Sequence, residues 1–361
     1  MKRSVLAGLA VLAAAAAAAA STTGCIIDGP FPDSLNGSNF TYPWPVKVFQ
    51  FTSQLQPLQM AFMDVEPACR PNGMTAVLLH GKNFCGPTWE TTMHVLTQHG
   101  YRVVVPDQIG FCKSSKPAAY QFSLGQMASN TRLLLDMLDV GNVTVIGHSL
   151  GGMMAVRIAL QYPEAVDEMV VVAPVGLEDY VKKGVPYVGL DTTAKSEAAS
   201  GYDSIRAYEK KVYYVDRWRP AYETWVQMLV NIYHGSERDA YVKNQAQVVD
   251  MVLTGPVAHC FGDIQPRTLL IVGDKDRTAI GSQWSSPDVA AKLGRFDLLG
   301  PEAAHQLQNG QLHRFTNLGH APQLSDPNAF HDVVLNFLHW NQTREARHAI
   351  HQDLHAGHRA R

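Results

Sequence analysis

The sequence predicts an α/β protein, a doubly wound and mostly parallel sheet with an inserted helical cap. Three observations carry that expectation. Short apolar runs of strand length alternate with helical stretches, the pattern of parallel strands joined by crossover helices. The stretch NVTVIGHSLGGMMAVRIALQY, residues 142–162, joins the β-branched run 143–146 to the helical run 153–160 through Gly147-His148-Ser149-Leu150-Gly151. From Leu177 to about Cys260 the alternation stops, and a polar-aromatic stretch with helical spacing takes its place.

At 361 residues the chain has room for one large α/β domain with an insertion. The formal charge of −2 argues against a nucleic-acid partner and leaves a small-molecule substrate as the expected one. There is no GxxxxGK[ST] loop and no CxxC pair of the zinc type, so neither cofactor nor metal is expected.

Residues 1–25 read as an export signal, outside the fold. Lys2-Arg3 opens it, 5–20 is an unbroken small-apolar run, and Ser21-Thr22-Thr23-Gly24-Cys25 closes it. That run is short for a membrane span. Thr-Thr-Gly-Cys resembles a lipoprotein lipobox, with Thr22 where leucine is usual; lipidation of Cys25, with membrane attachment, and plain cleavage nearby both stay open. Exported, the chain sits in an oxidising compartment, periplasmic, membrane-anchored or secreted. Cys69, Cys85, Cys112 and Cys260 then allow one or two disulfides, or none, with no pairing legible.

Residues 26–45, rich in Pro, Gly, Ser and Asn, read as a linker. The core is expected over 46–176 and 261–340. It opens with two strands, 46–53 and 58–65, separated by Pro57. A turn cluster at 66–73 leads to a third strand, 75–79, ending in His80-Gly81. A helix follows over 87–100, with Thr88 as cap and Gly100 as stop. Then come a strand at 102–106, a helix at 123–138 and the strand before Ser149. Later strands fall at 168–172, 268–272 and 312–316, and a closing helix at 326–340. The stretch 177–260 reads as a cap over the site, its aromatics mostly its own core and a few lining a pocket. The tail, 341–361, is polar; His351 and His355 stand four apart, but a solvated tail is the simpler reading.

Ser149 is the candidate nucleophile. A strand-to-helix turn places its hydroxyl at the carboxyl end of the sheet, and glycines two residues either side avoid Cβ clashes. A serine hydroxyl needs a base, and an imidazole needs a carboxylate to orient it. Asp276, three past the Gly273 that ends the strand LLIV, is the favoured acid; Asp274 is its competitor, closer to the strand end. Among His259, His305, His313, His320 and His331, only His320 falls between a final strand and the last helix. His148 should point away from the site, into packing. The oxyanion needs two N–H donors, expected from the backbone of Leu150 and of Lys82. The Lys82 ammonium is either solvated or a contact for a substrate carboxylate.

Ser149, Asp276 and His320 in this order, with His80-Gly81-Lys82-Asn83-Phe84 ahead of them, resemble the α/β-hydrolase superfamily. The resemblance is nearest to its capped branch of proline iminopeptidase-like, meta-cleavage-product hydrolase and esterase-type enzymes, and covers roughly residues 46–340. Pro106-Asp107-Gln108-Ile109-Gly110-Phe111 resembles the superfamily's D-x-x-G-x-G-x-S turn, with Cys112 where glycine is usual, so the backbone there is strained or the cysteine bonded. Gly319-His320-Ala321-Pro322 resembles its G-H-x-P segment. HGKNF replaces the His-Gly-Gly-Pro-Gly loop of proline iminopeptidases, and Ser149 stands where dehalogenases and epoxide hydrolases carry Asp. The resemblance implies a cofactor-free serine hydrolase. The expected reaction is hydrolysis of a small or medium carboxylic ester through an acyl-enzyme. A C–C or amide substrate, or non-catalytic ligand binding on the same fold, are the alternatives.

Overall fold

The computed structural model describes residues 24–338. Residues 1–23 of the expected export signal (1–25), the end of the expected closing helix (339–340) and the tail 341–361, His351 and His355 included, lie outside the described residues. Nine strands form one sheet in the order β1-β2-β3-β5-β4-β6-β7-β8-β9. An antiparallel ribbon comes first: β1 (Gly24–Asp28), β2 (Val46–Ser53) and β3 (Gln56–Val65). It joins β5 (Arg102–Pro106) antiparallel, and from there β4 (Thr75–Leu79), β6 (Val143–His148), β7 (Val166–Val172), β8 (Arg267–Gly273) and β9 (Gly310–Phe315) run parallel. The central strands are buried along nearly all of their length, as the near-continuous Val/Ile/Leu runs require.

Helices cover both faces. On one lie α1 (Glu90–Gln98) and the closing helix 327–338, whose Phe330, Val334 and Phe337 pack with Met93 and Leu96. On the other lie α2 (Leu124–Met137), capped by the Ser123 hydroxyl accepting from the Gln126 N–H, and α3 (Leu150–Gln161). Between β7 and β8 the chain builds a helical layer from α4 (Leu190–Ala198), α5 (Tyr202–Tyr208), a π-turn at Glu209–Tyr213, α6 (Glu223–Tyr233) and α7 (Arg238–Thr254). Short helices α8 (Pro287–Ala290), α9 (Phe296–Gln306) and α10 (Pro322–Ser325) complete the order.

Three expectations need correction. Residues 26–45 are not a free linker: Ile26–Asp28 continue an edge strand on β2, where Ile26 opposes Phe49. The segment behind it is pinned by two buried ammonium groups, Lys113 Nζ on the Asp33 carbonyl (2.7 Å) and Lys116 Nζ on the Asn36 carbonyl (2.5 Å). Charged stems left without water must find such acceptors, and loop carbonyls supply them. Pro57 does not separate two strands but lies inside β3 opposite Thr52; the turn is at Gln54-Leu55, both at positive φ, the geometry of a tight hairpin. Thr88 does not cap α1. It sits in a 3-10 turn (Gly86–Trp89) and returns its hydroxyl to the Cys85 carbonyl, so the helix starts later, at Glu90.

Candidate active site

Ser149 closes β6 and precedes α3 with φ 56° and ψ −117°, a backbone that side chains rarely adopt. The surrounding glycines make it sterically possible. A β-carbon on Gly147 would lie 2.1 Å from the Gly151 carbonyl oxygen, and one on Gly151 would lie 2.1 Å from that of Leu79. The turn is thus wedged between its own helix and β4. Leu150 is the first residue of α3, and its N–H is among those a helix start leaves without an intrahelical acceptor. The loop leaving β4 passes beside the serine: a β-carbon on Gly81 would be 3.0 Å from Ser149 Cβ.

The carboxylate and the imidazole arrive from the loops after β8 and β9. Asp276 follows β8 in a turn closed by its own N–H on the Gly273 carbonyl (3.0 Å). Its Oδ1 accepts from the Thr278 N–H at 2.8 Å, and its Oδ2 accepts from His320 Nδ1 at 2.7 Å. Both residues are fully buried. That bond fixes the His320 tautomer: Nδ1 carries the proton, and Nε2 is the bare nitrogen, buried with no hydrogen-bond partner among the described residues. Gly273 permits the crossing, since a β-carbon there would sit 2.2 Å from the Gly319 carbonyl oxygen. Asp274 is the surface residue of the pair, held by both arms of Arg314 at 2.9 and 3.0 Å.

The helical layer forms the roof. The His320 N–H reaches the Val212 carbonyl at 3.3 Å, and the Tyr213 ring lies 5.1 Å from the imidazole, its hydroxyl accepting from Asn83 Nδ2 at 3.0 Å. Lys82 is neither solvated nor waiting for a substrate carboxylate: its ammonium donates to Glu197 of α4 at 2.9 Å, and Tyr233 holds the other carboxylate oxygen at 2.6 Å. The pairing arises because α4 sits directly over the β4 loop.

Sequence reading missed three further features. His148 does pack inward, but against the site instead of away from it. Its Nε2 lies 2.7 Å from the His320 carbonyl oxygen and its ring 4.8 Å from that of His320. Burial first, then the neighbouring imidazole, hold its pKa well below the usual histidine value. His80 is also buried, accepting from the Gln108 N–H at 3.1 Å and donating from Nδ1 to Gly81, which ties the loop after β4 to the Asp107 turn. A disulfide joins Cys85 to Cys112 across those same two loops, while Cys25, Cys69 and Cys260 are free thiols. Cys112 is bonded and has a left-handed backbone (φ 48°). Cys85, Cys112 and Asp107 could face a common ion only as free thiolates, which the disulfide precludes.

The family model for the alpha/beta hydrolase fold matches residues 77–327. A crystal structure of a "probable hydrolytic enzyme" from Pseudomonas aeruginosa PAO1 superposes with a TM-score of 0.82 at 45% identity, covering 83% of this chain and 96% of that one. An uncharacterised Mycobacterium bovis protein is 37% identical over 106 residues, 29% of this chain; the match spans 30% of that relative's length. A 2-hydroxy-6-oxo-6-phenylhexa-2,4-dienoate hydrolase of Burkholderia cepacia is 25% identical over 272 residues, covering 74% of this chain and 88% of the relative.

Proposed function

Since the chain belongs to the alpha/beta hydrolase fold family, a hydrolase by its relatives and its architecture, we propose that it is an exported serine hydrolase acting on a small or medium carboxylic ester. The observation that carries this is the Asp276–His320 pair, 2.7 Å apart and buried, with Nε2 bare and the imidazole ring 4.8 Å from that of His148, the residue before Ser149 in the strained turn. His320 takes the proton from Ser149 Oγ as the oxygen attacks the carbonyl carbon. The Asp276 carboxylate stabilises the imidazolium and holds its orientation. The N–H groups of Leu150 and Lys82 receive the oxyanion. His320 then protonates the departing alcohol, and a water activated by the same imidazole releases the acid.

Export is supported by the basic-then-apolar start of the chain and by the Cys85–Cys112 disulfide, a bond that persists in oxidising compartments. Attachment through a lipidated Cys25 would place the anchor at the beginning of edge strand β1. The Burkholderia cepacia relative favours one second reading, cleavage of a C–C bond beside a carbonyl, which the same three groups serve.

Fluorophosphonate labelling tests the proposal. The wild type is expected to be labelled at Ser149, and Ser149→Ala to lose both label and ester turnover by roughly 10⁴-fold or more. A wild type inert to the probe and to a panel of short esters and vinylogous diketones would overturn it.

A further inference from the structure

We propose that His148, the residue before the nucleophile, is a positioning residue that holds the base in register with Ser149 through the backbone carbonyl of His320. The inference rests on the assignment of His320 as base. A carbonyl oxygen only accepts, so the 2.7 Å contact requires the proton on His148 Nε2 and leaves Nδ1 bare. That Nδ1 is buried and has no partner among the described residues. Packing alone does not account for a histidine here: an apolar residue would fill the space between Phe84, 5.6 Å away, and the His320 ring without orphaning a polar atom. It would, however, take the donor away from the His320 carbonyl.

The topology says why that donor belongs on β6. Two backbone tethers hold His320. Its N–H goes to Val212 of the roof at 3.3 Å, and its carbonyl goes to His148 at 2.7 Å. Ser149 is only 7% exposed and His320 fully buried, so both lie beneath the roof that supplies the Val212 tether. The His148 tether comes from a central strand that shares its turn with the nucleophile. Base and nucleophile are therefore registered to one another through the sheet itself, by a contact that does not pass through the roof. Burial and the adjacent imidazole keep His148 neutral, so it does not compete for the proton that His320 transfers.

The test compares His148→Phe, which fills the space without a donor, with His148→Gln, whose amide N–H can reach the same carbonyl. We expect H148F to lower kcat for a neutral short ester 10- to 100-fold with KM changed less than threefold, to slow fluorophosphonate labelling equally and to move the acid limb of the pH profile; H148Q restores most of the rate. Wild-type kcat and an unmoved acid limb in H148F would overturn the proposal. Should H148F not fold, His148→Asn, too short to reach the carbonyl, takes its place against H148Q. The downfield proton resonance of the Asp276–His320 bond separates this inference from the hydrolase reading. If the wild type turns nothing over, that resonance still decides: broadened or shifted in the donor-less variant supports the tether, and unchanged refutes it.

Discussion

Ser149 spends backbone strain to stand its hydroxyl at the sheet edge, and the glycines around it are a condition for that strain. A Gly151→Ala methyl would meet the Leu79 carbonyl oxygen at 2.1 Å with backbone on both sides, so the turn must open or the variant must fail to fold. The two aspartates of the β8 turn separate structure from chemistry. Asp276→Asn keeps the shape but removes the charge that selects the His320 tautomer, and should lower ester kcat by about 10³- to 10⁴-fold. Asp274→Asn only loosens a surface pair with Arg314. It should change kcat less than about twofold and stability by at most about 1 kcal/mol, measured by denaturant unfolding.

The π-turn at Glu209–Tyr213 carries the roof, and its Glu209 is an unusual resident. The carboxyl is fully buried, neither oxygen has a partner among the described residues, and burial, aided by Glu223, pushes its pKa up to about 8. An unfolded glutamate releases its proton near 4.5, the folded one near 8, so the folded state binds the extra proton in between and loses stability as pH rises across that window. Glu209→Gln should flatten that decline: its Tm should gain on the wild type on going from pH 5 to pH 8. Equal differences at both pH values would refute the buried neutral carboxyl. The Cys85–Cys112 bond works at the same scale, closing a segment of separation 27 that includes α1 and β5. Replacing both cysteines by alanine should cost about 3.5 kcal/mol on the chain-entropy account, read from guanidinium unfolding.

Across the whole molecule, opposed pH effects bound the stable range. On the face away from the roof, His331 of the closing helix meets Thr92 of α1 at 2.9 Å, and burial brings its pKa down to about 4. Below about pH 6.5 the unfolded chain takes up a proton that the folded chain refuses, so stability falls as pH drops from there toward 4, by about 3 kcal/mol for a shift of this size. Glu209 erodes the other side; the two windows overlap between about pH 4.5 and 6.5, where the opposed slopes cancel, and maximum stability is expected there. His331→Gln should remove much of the acid-side decline in thermal unfolding between pH 6.5 and 4.

The parallel strands, the sharp turn at Ser149 and the choice of Asp276 and His320, which the fold brings together, were legible in the sequence, because each rests on local chemistry: β-branched runs, glycines at fixed offsets, a short turn after a strand. Asp276 could be preferred over Asp274 for the same reason, its distance from the strand end. What folding alone decided were contacts between segments far apart in the chain. Cys85 and Cys112 pair because β4 and β5 are neighbours in the sheet. Lys82 meets Glu197 because α4 folds back over the β4 loop. His148 touches the His320 carbonyl, 172 residues away, because β6 and the loop after β9 end at one rim. Local spacing fixes what a residue can be; only the crossing of strands and loops fixes what it touches.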